Sequence, residues 1–134
     1  MKKGLTLLMI IAAVIILSVS LTGCGAPTVD KNFVMDEPAP SGASDAREIK
    51  LDFTSEKINP NSVEMKPSEK VMFTIHNTDP KEDHNFLDPD SGLKEIVVHP
   101  GQTVRRLWTA PTKPGTYYPS CAIHPWIKMT FVVK

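Results

Sequence analysis

Apolar and polar residues alternate in short bursts along the second two-thirds of the chain. In REIKLDF, Ile49, Leu51 and Phe53 are separated by charged or polar residues, which is the period of a strand with one face buried. NSVEM, VMFTI, HNFL, LKEIVV, TVRRLWT, TYYPSC and MTFVV follow, divided by turn-forming stretches such as KPSEK, DPDSG, HPGQ and APTKPG. No window of a dozen residues keeps a helical period. Eight short segments spaced by Pro, Gly, Asp and Asn predict an all-β fold over residues 47–134, an antiparallel Greek-key sandwich of seven or eight strands. The 12 prolines fall almost wholly in the turns or upstream of residue 47, where a missing N–H donor costs little.

The first residues have another pattern. Lys2 and Lys3 precede an apolar run over residues 7–17, and small residues, Thr22 and Gly23, precede Cys24. This order is that of a secretory signal over residues 1–23, with a retained membrane anchor as the alternative. LTGC, residues 21–24, resembles the lipobox of bacterial lipoproteins. The resemblance implies cleavage before Cys24 and a lipid on its thiol, and thus a protein outside the cytoplasm held to the bacterial cell membrane. Residues 25–46, with three prolines and many small residues, complete a segment (24–46) that reads as a flexible tether.

Charge excludes some partners. Loss of residues 1–23 takes the basic count from 15 to 13 against 15 acids, and residues 47–134 carry 12 basic and 11 acidic residues. So balanced a domain has no footprint for nucleic acid or for a polybasic membrane contact. A monomer is expected, meeting the membrane through its lipid.

With Cys24 committed to lipid, Cys121 has no partner for a disulfide in a compartment where thiols oxidise. Four readings of this thiol are open. It could be a small buried hydrophobe, a nucleophile with His124 as base, a zinc ligand, or part of a two-histidine, one-cysteine copper site with His124 and His84. The nucleophile lacks an evident orienting group, and the zinc pattern lacks ligands. The copper reading uses the neighbours: Cys121 ends one strand, His124 lies in the next turn, and MTFVV returns as a strand.

At this point the chain resembles the cupredoxins, the small blue-copper proteins, over about residues 55–133. INPNSVEMKPSEKVMFTIHNTDPKEDHNF is similar to the family's opening strands and first ligand loop, with Ser68 or Glu69 where glycine is usual, and GTYYPSCAIHPW is similar to its Gly-x-Tyr-x-x-x-Cys-x-x-His ending. The resemblance implies a copper ion cycling between Cu(I) and Cu(II) on His84, Cys121 and His124. It also implies that Asn85 braces the ligand loop, and that Pro125 and Trp126 lie where redox partner proteins dock. A methionine usually completes such a site. C-x2-H-x4-M spacing offers Met129, whereas HPWI spacing puts Ile127 at that position, and both alignments remain open. His76 and His99 read as surface and turn histidines, and Trp108 as a packing residue. The expected function is one-electron transfer without enzymatic activity. Copper storage, delivery or sensing is the alternative, as is an accessory role in a larger oxidase or transporter.

Overall fold

The alternation becomes nine strands in the computed structural model, which describes residues 33–134. They are β1 (Arg47–Phe53), β2 (Ile58–Asn59), β3 (Ser62–Met65), β4 (Lys70–Asn77), β5 (His84–Asp88), β6 (Leu93–Val98), β7 (Thr103–Thr109), β8 (Gly115–Tyr117) and β9 (Thr130–Val133). There is no helix among the described residues. The all-β expectation holds, and β2 is the strand the periodicity missed, since two residues carry no period. The predicted signal segment and Cys24 lie outside the described residues.

One sheet has the order β2-β1-β4-β7, a second β3-β9-β8, and β5-β6 form a ribbon. Two pairings depart from a purely antiparallel sandwich: β1 runs parallel to β4, and β3 to β9. A parallel pair needs a crossover between its members. Here the chain visits the second sheet as β3 between β1 and β4.

Inward-facing residues close the layers. Ile49, Leu51 and Phe53 of β1 and Val71, Phe73 and Ile75 of β4 are buried, as are Phe131 and Val133 of β9. Phe73 stacks on Phe131 across the sandwich with centroids 5.7 Å apart, and Phe86 of β5 meets both edge-on at 5.7 and 6.0 Å. Each such ring stabilises the fold by about 1.5–3 kcal/mol through burial. Phe86 ties the ribbon to both sheets, and its removal costs on the order of 3–5 kcal/mol. Ser68 takes φ 60° in the β3–β4 turn, the left-handed conformation glycine adopts most easily.

Because β1 and β4 are parallel, both finish at the same end of the sandwich. Loop 78–83, which leads into β5, lies there, as does turn 99–102 between β6 and β7.

The tether expectation needs correction over residues 33–46. Thr103 N–H donates to Met35 O (2.7 Å), Glu37 N–H donates to Thr103 O (3.0 Å), and the Gln102 amide donates to Val34 O (2.9 Å). Asp36 and Glu37 pair with the guanidinium groups of Arg105 and Arg106. Phe33 stacks on His99 at 4.2 Å, and farther along Asp45 pairs with Lys70 at 2.7 Å. The cause is β7, which stands at the edge of its sheet with backbone groups open to pairing. A proline-rich composition cannot reveal a partner 68 residues downstream.

Candidate metal centre

β5 opens with His84 and Asn85, which point to opposite faces of the strand and are both covered: His84 is fully buried and Asn85 nearly so. The loop before them is held by two side chains. Asn77, at the end of β4, donates through its amide to Glu82 O (2.9 Å) and Val98 O (3.0 Å) and accepts from Asp79 N–H (2.9 Å). Asp79, itself buried, accepts from the N–H groups of Lys81 (2.9 Å) and Glu82 (3.1 Å) through Oδ1. Those two backbone donors hold its carboxyl below the usual aspartate range. Its other oxygen stands 3.7 Å from His84 Nε2, which has no closer partner. Burial, reinforced by nearby His124 and opposed by Asp79, pushes His84 below the ordinary imidazole range, so the ring is neutral.

The second half of the site comes from residues 120–128. Ser120 bridges Leu87 of β5 on one side and Lys128 on the other. Cys121 N–H donates to Ile127 O (3.0 Å), Ile127 N–H to His124 O (2.9 Å), and Met129 N–H to Pro119 O (2.9 Å). This ladder sets Ile127 opposite Cys121 and Met129 opposite Pro119. Both are buried, and Lys128 between them is exposed. Asn85 ties the halves together. Its Oδ1 accepts from Ala122 N–H (2.7 Å) and Ile123 N–H (3.4 Å), its amide donates to Glu95 (2.6 Å), and its backbone N–H donates to the Cys121 sulfur (3.4 Å).

The result is a triangle of soft and borderline donors. Cys121 Sγ lies 3.7 Å from His84 Nδ1 and 3.6 Å from His124 Nδ1, and all three atoms lie within 4.8 Å of one another. A first-row ion bonded to sulfur at roughly 2.3 Å and to nitrogen at 2.0–2.1 Å, with angles between tetrahedral and trigonal, requires sulfur–nitrogen separations of about 3.6–3.8 Å. The triangle fits. Its lone pairs converge with no protein donor between them, apart from the Asn85 N–H on sulfur, an arrangement that a cation satisfies.

Of the sequence candidates, His84, Cys121, His124 and Asn85 therefore meet at one place. Ile127 is the cross-strand neighbour of the thiol, and Met129 is one pair removed. Pro125 and Trp126 are exposed beside His124; the Trp126 ring meets the imidazole edge-on at 5.2 Å and donates to Ser55 O (3.2 Å). His76 pairs loosely with Asp52 at 3.7 Å, and His99 pairs with Asp83 at 2.9 Å, both away from the triangle. Trp108 packs against Phe73 and Phe131. The structural roles of Asn77, Asp79 and Glu95 were missed. The sequence signal for the first two was the N-x-D turn ahead of His84, whereas Glu95 is exposed on β6 and carried none.

Comparison with known proteins places this fold. The sequence profile of the family described as Cupredoxin-like domain matches residues 8–133. No curated protein gives a significant sequence match. Among solved structures, the chain is similar to auracyanin from Roseiflexus castenholzii, with 17% identity, a TM-score of 0.56, and coverage of 66% of this chain and 98% of that one. It is similar to the periplasmic domain of cytochrome oxidase subunit II of Bradyrhizobium japonicum, at 14% identity and TM-score 0.54 over 66% and 83%. It is also similar to the metal-binding domain of the Cu(I)-exporting P-type ATPase of Streptococcus pneumoniae, at 13% identity and TM-score 0.56 over 76% and 96%. At these identities the likenesses speak for the fold.

Proposed function

Because the chain belongs to the family of cupredoxin-like domains, we propose that it is a copper protein that passes single electrons between redox partners outside the cytoplasm, tethered to the membrane by a lipid on Cys24. The observation that carries this reading is the buried sulfur–nitrogen–nitrogen triangle with one of its imidazoles reaching the surface.

Copper held by such a set supplies a one-electron couple. The chain's own residues do the rest. His84 is neutral and presents Nδ1 toward the sulfur, so Nε2 carries the proton, facing Asp79. A carboxylate behind a ligating imidazole fixes its tautomer and orientation. Asn85 fastens the Cys121 loop to β5, so the three donors keep their spacing when charge changes. Burial of Cys121 and His84 excludes water. His124, half-buried under exposed Pro125 and Trp126, is the route by which an electron reaches a docked partner. Ile127 is the cross-strand neighbour of Cys121, so His84, Cys121 and His124 are the residues that would hold copper, with Met129 packed in the core.

A visible absorption spectrum and a voltammogram of copper-loaded protein test this reading. An intense copper–thiolate band lost in Cys121→Ser, with a reversible one-electron wave, is the expected result. Stable binding of Cu(I) alone, released to an acceptor without a wave, would identify a delivery protein instead. Mass spectrometry of membrane-extracted protein should find residues 1–23 removed and acyl chains on Cys24.

A further inference from the structure

The chain enters its folded body at the same end as the ligand loops. The bridge between Asp36 and Thr103 is parallel, so residues 33–37 run with β7, starting beside turn 99–102 and moving away from it. Phe33 stacks on His99, and His99 binds Asp83, the residue before His84. The segment then continues toward the opposite end of the sandwich, where Asp45 meets Lys70 and β1 begins.

This docking changes what a lipid at Cys24 would do. A tether free up to Arg47 would attach at the far end and reach about 80 Å over its 23 steps. With residues 33–37 bound to β7, only nine steps separate Cys24 from Phe33, at most about 30 Å. The attachment point also moves to the ligand end. The two ends stand about 23 Å apart along the seven residues of β1.

We propose that residues 33–37 are a strap that turns the His124–Trp126 face toward the membrane, so that the site serves a redox protein embedded in that same membrane and not a freely diffusing one. The inference rests on the copper and lipid reading above. The strap is held by ion pairs to Arg105 and Arg106, by a two-bond exchange with Thr103 and by the Phe33–His99 stack. Gly101, in the turn beside the strap, takes φ +72°, a conformation that favours glycine.

Trp126 reports on this directly. The lipidated, metal-free protein is placed in phosphatidylcholine vesicles carrying dansyl-labelled phosphatidylethanolamine, and energy transfer from tryptophan to dansyl is measured. Trp108→Phe leaves Trp126 as the single donor at the ligand end. Adding Trp126→Phe and Lys113→Trp moves the donor to the exposed far-end turn. Stronger transfer from Trp126 than from position 113 is expected, and reversing Asp36 and Glu37 to arginine should abolish the difference. The strap-release comparison is repeated with both natural tryptophans present, so the outcome does not hang on Trp108→Phe folding well. Stronger transfer from position 113, or no change on strap release, overturns the inference. The acyl mass on Cys24 is read on the same preparations, and the copper band on a portion of each after copper is added. Their absence removes the parent reading together with the inference, whereas their presence with the wrong transfer order removes the orientation alone.

Discussion

His84 is carried by a loop whose polar groups are bonded inward, whereas His124 sits on one that turns its side chains to solvent. In the first, Asn77 and Asp79 are buried and between them satisfy five backbone groups: Glu82 O, Val98 O, and the N–H groups of residues 79, 81 and 82. In the second, Ala122, Ile123, Pro125 and Trp126 are exposed, and a short ladder with the Asn85 side chain provides most of the restraint. On the proposed reading, the contrast separates two tasks of an electron-transfer site. One ligand is held where water cannot enter, and the other is left where a partner can touch it.

Breaking the inward-bonded loop should have the largest effect. Asn77→Ala strands two carbonyls and one N–H, and chemical denaturation of the metal-free protein should show a loss of about 2–4 kcal/mol. Asp79→Asn keeps the shape and removes the charge behind His84. Metal affinity should fall roughly 10- to 100-fold, with the potential rising because Cu(II) loses a nearby anion. A titration against a competing chelator measures the first, voltammetry the second.

Acid should act on the same loop. His84 has its pKa lowered by burial, so the unfolded chain binds a proton that the folded chain resists. Stability of the metal-free protein should therefore fall as pH drops below about 6.5, by at most about 1.4 kcal/mol per pH unit for this one proton. Asp79 adds a second loss below about 3.9, as its lowered carboxyl is protonated. Residues 118–129 contain no acid, and amide exchange should show the His84 loop opening first.

Two substitutions sharpen the picture of the other half. Met129→Leu conserves volume and should cost less than about 1.5 kcal/mol with an unchanged spectrum, while Ile127→Met should lower the potential by adding a thioether. A spectral change in Met129→Leu would return the methionine to the metal. Smallest of all, Trp126→Ala should alter stability by no more than about 0.5 kcal/mol while slowing electron exchange with partners, as stopped-flow mixing would show.

Much of this was legible in the chain because it is local. Alternation gave the strands from β1 onward except the two-residue β2, and C-x2-H after Gly-x-Tyr marked the Cys121 loop. What escaped depends on residues far apart. Glu95 orients Asn85 from the next strand, and nothing in KEI distinguishes it from an ordinary exposed glutamate. Residues 33–37 carry the composition of a linker, and only the open edge of β7 with Arg105 and Arg106 makes them structure. The choice between Ile127 and Met129 cannot be read from parity, since both face inward; the ladder pairs Cys121 with Ile127, and the two variants above decide between them.

β9 has a consequence for how the protein comes into being. It lies between β3 and β8, bonded on both sides, and Lys134 N–H reaches Met65 O beyond it. Until this strand arrives, β3 and β8 have nothing to pair with, and the Cys121 loop has no return leg to hold the thiol. Closure of the sandwich thus joins segments some 68 positions apart, the kind of long-range pairing that folds on the order of milliseconds to seconds. The second sheet therefore stays open until the last strand has been made. The triangle of Cys121, His84 and His124 is complete only after that closure.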